Sequence, residues 1–295
     1  MNIPFHGCAT ALITPFRGGA VDYPALKRLV DFQIENGVSA LVSCGTTGEA
    51  PTLYSEEKRE IIAYTVKAAR GRVPVIAGCG SPSSDFAAQF AKDAKNDGAA
   101  AVLCVTPYYN KATDMGVYMH YKTVAEAAEI PLIAYNVPSR TGLSISNAAY
   151  EMLCEIPNFC GVKEASGNAV YTGKIASQFR GRFALWSGCD ELTAPIYALG
   201  GSGVISVLSN ILPAEASELC RLCETGSFAE ASKMQLELIP MINALFSEIN
   251  PIPVKTALHA MGFCTPEMRL PLCRMGDKNE QNLRKLMREF SLITN

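Results

Sequence analysis

A rhythm in the chain limits its fold more than any single motif does. Eight apolar runs recur at roughly 30-residue spacing: Cys8–Phe16, Ala40–Thr47, Val73–Gly80, Ala99–Pro107, Pro131–Val137, Phe159–Ala165, Phe183–Gly188 and Gly203–Val207. Their apolar residues are continuous rather than alternating, so both faces of each strand must be buried. Parallel strands covered by helices meet that requirement. Amphipathic helix patterns fill the intervals. Asp22 can cap the first, with Pro24 in its first turn and a stripe of Leu26, Leu29, Val30 and Ile34. Ser55 can cap the second, where Glu56 and Glu57 suit the positive end of the helix dipole. Phe86, Phe90 and Ala94 follow helical spacing in the third; Ser146 opens the fifth, with Ala149, Met152, Leu153 and Ile156. Eight β units, each followed by a helix, predict an α/β fold, a (β/α)8 TIM barrel. A doubly wound open sheet competes, but eight nearly equal units favour the barrel. From about Phe228 onward the chain reads as helical, in the patterns Phe228–Phe246, Val254–Met261 and Asp277–Leu292. Gly226, Asn250-Pro251-Ile252-Pro253 and Pro266 to Pro271 punctuate them. The expected organisation is a barrel domain over 1–225 and a C-terminal helical extension over 226–295.

Composition excludes several classes of function. Net charge is −2 and only 18% of the 295 residues are charged, with no basic or acidic block, which argues against a nucleic-acid partner. No apolar stretch is long enough to span a bilayer, so no membrane role is expected. The N-terminal Met1-Asn-Ile-Pro-Phe-His lacks the regions of a signal peptide, and a cytoplasmic protein is expected. The eleven cysteines, scattered through apolar strands at Cys8, Cys44, Cys79 and Cys104, read as reduced core thiols. Cys220 and Cys223 form a C-x-x-C on a helical pattern with no second pair, which favours two thiols on one core face over a metal or redox site. His6, His120 and His259 are not at ligand spacing. No metal and no organic cofactor is expected.

Barrel active sites lie at the C-terminal ends of the strands, and the unusual polar groups of this chain gather there. The sixth run carries Lys163 in Phe159-Cys-Gly-Val-Lys-Glu. Burial disfavours an ammonium group, and a neutral amine is a nucleophile that can condense with a carbonyl to a Schiff base. The plain alternative is a strand-end lysine that reaches solvent or Glu164. Tyr135, on the neighbouring run, could shuttle protons for such chemistry or could be a core tyrosine. Gly45-Thr-Thr-Gly could cradle a carboxylate or phosphate, or could be a tight turn. Arg140, between Pro138 and Gly142, suits bidentate carboxylate recognition but could equally be a surface residue. Gly200-Gly201-Ser202-Gly203 precedes the eighth run and reads as a turn at the opposite barrel end.

Several segments together resemble the dihydrodipicolinate synthase family. It lies within the pyruvate-dependent class I aldolase superfamily, which also holds N-acetylneuraminate lyase. They are Gly45-Thr-Thr-Gly-Glu, Thr106-Pro-Tyr-Tyr-Asn-Lys, Tyr135-Asn-Val-Pro-Ser-Arg-Thr-Gly, Gly161-Val-Lys-Glu-Ala-Ser-Gly, Gly203-Val-Ile-Ser-Val, Asn250-Pro-Ile-Pro-Val-Lys and Arg269-Leu-Pro-Leu. Paired threonines, the arginine after Val-Pro-Ser and the Tyr-Tyr-Asn-Lys run separate the synthases from the lyases. The resemblance implies that Lys163 forms an imine with pyruvate and that backbone groups at Thr46 and Thr47 hold its carboxylate. It implies a proton relay of Tyr135, Thr47 and Tyr109, with Tyr109 reaching into a neighbouring subunit of a homotetramer built from tight dimers. It implies that Arg140 binds the carboxylate of L-aspartate 4-semialdehyde, and that Gly188 and Ile205 line the pocket through their backbone. Cys189 stands where Asp or Asn is common, and Ala112 where Pro is. Ser55, Lys58, Pro82 and Phe86 occupy the positions where lysine-inhibited members carry two histidines, an Asn and a Glu, which implies weak or absent lysine feedback. A related sugar-acid or neuraminate lyase, and a non-catalytic keto-acid-binding barrel, are the alternatives; Arg140 argues against the first, and Lys163 with Tyr135, Tyr109 and Thr47 against the second.

Overall fold

The computed structural model describes residues 2–294. Eight parallel strands close into a barrel: β1 (Gly7–Ala11), β2 (Ala40–Ser43), β3 (Val75–Gly78), β4 (Ala101–Val105), β5 (Leu132–Asn136), β6 (Phe159–Glu164), β7 (Ala184–Ser187) and β8 (Gly203–Ser206). They pair in sequence order, and β8 returns to β1 with Gly203 opposite Gly7. Each strand is followed by a helix: α1 (Tyr23–Glu35), α2 (Ser55–Ala69), α3 (Ser84–Asn96), α4 (Asp114–Ala128), α5 (Asn147–Leu153), α6 (Ala169–Gln178), α7 (Thr193–Ala198) and α8 (Pro213–Glu224). The expected (β/α)8 barrel is therefore the observed fold. The paired strands are shorter than the apolar runs, chiefly at their C-terminal ends. There Thr46, Thr47, Thr106 and Val137 have left the ladder and turn across the mouth of the barrel.

Two layers of core explain the continuous runs. Ile133 and Tyr135 of β5 point into the barrel, while Leu132 and Ala134 pack outward beneath the helices. The pattern repeats around the barrel, so a polar strand residue is buried on either side. Trp186 fills the interior and stacks on Phe5, with ring centroids 5.0 Å apart.

Helix starts follow side-chain chemistry with one correction. The Asp22 carboxylate accepts from the Ala25 N–H at 3.0 Å, and Ser146 accepts from Ala149 at 3.0 Å, as their positions predict. Ser55 does not cap α2. Tyr54 holds the extended cap position, Ser55 is the first helical residue, and the Glu57 carboxylate accepts from the Tyr54 N–H at 2.9 Å. Phe86 also departs from expectation: it is 65% exposed, and α3 instead buries Ala87, Ala91 and Ala94. Small residues let α3 pack close against α4, and Phe86 lies one position off that stripe.

Beyond Gly226 come α9 (Phe228–Leu245), α10 (Ile252–Ala260) and α11 (Asp277–Glu289). Leu238, Leu258 and Met287 from these helices share one buried cluster with Cys8 of β1, Val204 of β8 and Leu219 of α8. The hydrophobic core thus runs without a break from the barrel into these helices. All eleven cysteines are free thiols, and Cys220 and Cys223 lie buried in that shared core. Among the described residues no helix is long and apolar enough to cross a membrane.

Candidate active site

Left-handed backbone occurs at helix ends and also at the mouth of the barrel. Cys44, Glu49 and Tyr109 adopt left-handed backbone (φ 55°, 56° and 67°), and all three lie in loops that follow strands. Such conformations cost of order 1–3 kcal/mol each and persist where surrounding structure fixes them. The loop after β2 is fixed by its own turn bonds: Gly48 N–H to Gly45 O at 3.1 Å and Glu49 N–H to Thr46 O at 3.1 Å. The tight-turn alternative is thus correct as geometry, yet the turn leaves donors unused. Among the described residues neither the Thr46 nor the Thr47 N–H has an acceptor within the chain. Two unpaired N–H groups in one turn are a cradle for a small anion.

Lys163 lies on β6 directly between Tyr135 of β5 and Trp186 of β7, and it is 5% exposed. Its Nζ sits 4.3 Å from the centroid of the Tyr135 ring. Among the described residues it has no ion pair or hydrogen bond. Glu164 is not its partner, because the adjacent strand residue faces the other way. That carboxylate accepts from Asn136 Nδ2 at 2.7 Å and from the Ser166 N–H at 2.6 Å. Burial pushes the Glu164 carboxyl up, and these hydrogen bonds pull against it. Asp190 is likewise occupied, accepting from the Val207 and Leu208 N–H groups at 2.9 and 3.0 Å. Gly188 makes room for the lysine: a Cβ there would stand 3.0 Å from Lys163 Cε and 2.6 Å from Ala165 Cβ. Ile205 is wholly buried in the barrel interior.

A cavity of about 230 Å³ opens at the barrel mouth, lined by Thr46, Tyr135, Arg140, Lys58, Tyr108 and Cys44 among others; Lys163, Thr47, Gly188 and Ile205 do not line it, and Lys163 borders it only through Tyr135. No Asp or Glu lines it, while two cationic side chains do, so the cavity suits anionic ligands. Burial pushes the Cys44 thiol up to about 12, which keeps it neutral. Arg140 stands on a single helical turn (Pro138–Thr141), its Nη2 donating to the Asn250 carbonyl at 3.3 Å. Thr47 is buried, and its hydroxyl accepts from Asn250 Nδ2 at 3.0 Å. Tyr109 is not brought into this chain's own cavity; it is 95% exposed.

Sequence reasoning missed what holds the anion loop from below. Asn250, Lys255 and Arg269, all from the C-terminal extension, bond to it. Lys255 Nζ meets Glu49 Oε1 at 2.5 Å, and the Arg269 N–H meets Glu49 Oε2 at 3.0 Å. The sequence signals were Asn250-Pro-Ile-Pro-Val-Lys and Arg269-Leu-Pro-Leu, which mark the family resemblance and helix punctuation but carry no role for these side chains.

An unpaired amine inside a barrel mouth, beside a phenol and an anion cradle, defines the class: a barrel enzyme that works on carbonyl acids through an imine. Comparison with known proteins narrows it. Residues 4–290 match the profile of the Dihydrodipicolinate synthetase family, and the chain belongs to that family. It is 45% identical over 289 residues to the 4-hydroxy-tetrahydrodipicolinate synthase of Syntrophus aciditrophicus, covering 98% of this chain and 99% of the relative. The crystal structure of dihydrodipicolinate synthase from Aquifex aeolicus superimposes with a TM-score of 0.96 at 44% identity, covering 99% of this chain and all of that one. The chloride-inhibited enzyme from Acinetobacter baumannii, solved complexed with pyruvate, gives 0.95 at 42% identity, covering 98% of this chain and 99% of its own.

Proposed function

We propose that this chain is a lyase that condenses pyruvate with L-aspartate 4-semialdehyde to (4S)-4-hydroxy-2,3,4,5-tetrahydrodipicolinate and water, the committed step of the diaminopimelate route to lysine. The Lys163 amine adds to the keto carbon of pyruvate and water leaves, giving the imine. Loss of a methyl proton gives the enamine, whose carbon attacks the aldehyde. The amino group of the second substrate then displaces Lys163 from the imine carbon and closes the ring. The Thr46 and Thr47 backbone holds the pyruvate carboxylate, and Tyr135, Thr47 and Tyr109 carry the protons. Gly188 and Ile205 bound the pocket, and Arg140 binds the carboxylate of the semialdehyde. The observation that carries this reading is the buried Lys163 amine, with no partner among the described residues, 4.3 Å from the Tyr135 ring. The test is mass spectrometry after pyruvate and borohydride, followed by a coupled assay with aspartate semialdehyde. No covalent adduct would overturn the reading.

Arg140 selects the partner of the enamine. Arg140→Ala should keep pyruvate trapping but lose about 3 kcal/mol of transition-state binding, roughly a 10²-fold fall in kcat/KM for the semialdehyde. Unchanged turnover with that substrate would return the neuraminate or sugar-acid lyase alternative.

We further propose a homotetramer of tight dimers in which Tyr109 enters the neighbouring subunit's site. Its support is an aromatic ring 95% exposed on left-handed backbone beside the cavity mouth. The free thiols fit a cytoplasmic location. Feedback by lysine is weak in this reading. Lys58 lies half-buried with its Nζ 4.2 Å from the Phe90 ring centroid, and Pro82 and Phe86 bring no carboxylate. A cation meets the ligand's ammonium groups with repulsion, so saturating L-lysine should slow turnover by less than about twofold. Cooperative block in an inhibition curve would contradict this.

A further inference from the structure

A carboxylate buried between strands and helices needs a reason. Glu164, at the end of β6, is 2% exposed and faces the layer where β5 and β6 otherwise bury Leu132, Ala134 and Val162. An apolar residue there would carry no desolvation cost. Glu164 instead meets a closed set of partners. Its Oε2 accepts from Asn136 Nδ2 at 2.7 Å, and its Oε1 from the Ser166 N–H at 2.6 Å. Asn136 Oδ1 accepts from the Ile145 N–H at 3.0 Å, and the Tyr171 hydroxyl of α6 donates to the Ile145 carbonyl at 2.5 Å. The Glu164 backbone carbonyl accepts from the N–H of Gly188 at 2.7 Å, the glycine that makes room for Lys163.

Asn136 stands directly opposite Glu164 across β5 and β6, and the preceding pair is Tyr135 with Lys163. At the other end of these strands the register is broken. Leu132 pairs with Phe159 but Ile133 pairs with Gly161, so Cys160 is an extra residue on β6. A bulge leaves one residue unpaired and disrupts the ladder locally, and a slip of one residue turns every side chain to the opposite face. The side-chain bond between Asn136 and Glu164 fixes the register beyond the bulge. We infer that Asn136 and Glu164 are positioning residues: their bond, outside the barrel, pins the register that sets the Lys163 amine beside the Tyr135 ring inside it. The Asn136 amide also closes the segment 136–145, which carries Arg140. One residue thus ties the imine-forming strand pair to the Arg140 loop. This role rests on the proposed imine at Lys163.

The polarity of the bond supplies the test. Glu164→Gln keeps the size but offers one acceptor to two donors. Whichever way the new amide turns, its NH2 faces either Asn136 Nδ2 or the Ser166 N–H. The double variant Asn136→Asp/Glu164→Gln restores the bond with its direction reversed. The new glutamine donates to the new aspartate, whose other oxygen still accepts from the Ile145 N–H, and the net charge is unchanged. Two rates are measured on folded protein: borohydride trapping at limiting pyruvate, and exchange of the pyruvate methyl protons with D2O by NMR without the second substrate. Glu164→Gln should slow both about 10²-fold, the cost of a misplacement on the order of 1 Å. The double variant should recover to within about fivefold of wild type. Wild-type rates in Glu164→Gln, even with a lowered melting temperature, would overturn the inference, since a purely structural network gives that result. A double variant as slow as the single one would also overturn it. If Glu164→Gln does not fold, Glu164→Asp decides: it keeps the charge and both acceptors but shortens the reach by one methylene. Exchange should then fall about tenfold, and unchanged exchange overturns the inference. Failure of the unaltered protein to form any pyruvate adduct would instead defeat the proposed function.

Discussion

Lys163→Ala should yield a folded protein that no longer captures pyruvate under borohydride and turns over at least about 10⁴-fold more slowly. The variant loses the only atom that can bond to the keto carbon, and no neighbouring amine can replace it. Lys255 Nζ is bonded to Glu49, and Lys58 lies against the Phe90 ring. Stability should be unchanged or slightly raised. The wild-type amine is buried with no partner among the described residues, which is unfavourable, and removing it offsets the small cavity left behind. On the proposed mechanism, function placed the group there against the preference of the fold. Lys163→Arg should be equally inactive, since a guanidinium forms no such imine. Equal melting temperatures with full trapping in Lys163→Ala would reject the mechanism. A large fall in melting temperature would show that Lys163 has a structural partner.

The barrel was legible because each of its strands is buried on both faces, and a continuous apolar run records that locally. Lys163 was legible for the same reason: it interrupts such a run. Strand ends were read too long because Thr46, Thr47 and Val137 are compatible with a strand and only the lack of a pairing neighbour ends it. Phe86 was misplaced because alanines make a weak sequence stripe, although they pack α3 most closely. The missed residues share a different cause. Asn250 and Thr47 are 203 positions apart, and Lys255 and Glu49 are 206. No local pattern encodes such a pairing. Lys255 is also more deeply buried than Lys163, at 0% against 5% exposure. Its burial is not legible, although it ends the quoted Asn250-Pro-Ile-Pro-Val-Lys segment, because a helix, unlike an apolar strand, ordinarily carries lysines. Burial alone therefore does not mark the lysine proposed to form the imine. The presence or absence of a carboxylate partner separates the two.

That contrast predicts the largest loss of stability. Glu49 and Lys255 have fully buried side chains and meet at 2.5 Å, with Lys255 Nζ also 4.1 Å from the centroid of the Phe16 ring. Burial pushes the Lys255 amine down, and the Glu49 charge and hydrogen bond oppose that shift. Removing either partner strands the other charge in the interior. Glu49→Gln and Lys255→Met should each cost about 3–5 kcal/mol, a fall in melting temperature of roughly 10 °C for a chain of this size. The double variant should lose less than the sum of the two, because no unpaired charge remains; the difference in a double-mutant cycle measures the coupling. Activity should suffer in a particular way. Glu49 ends the turn that presents the Thr46 and Thr47 N–H groups, and its second oxygen is held by the Arg269 N–H. Loosening that turn should raise KM for pyruvate while Lys163 still forms the imine at saturating pyruvate. Additive effects below about 1 kcal/mol each would mean that water reaches the pair and that it behaves as a surface contact. Strong coupling with a raised KM would mean that the extension, whose Lys255 lies 206 positions downstream of Glu49, is what holds that loop in its strained conformation.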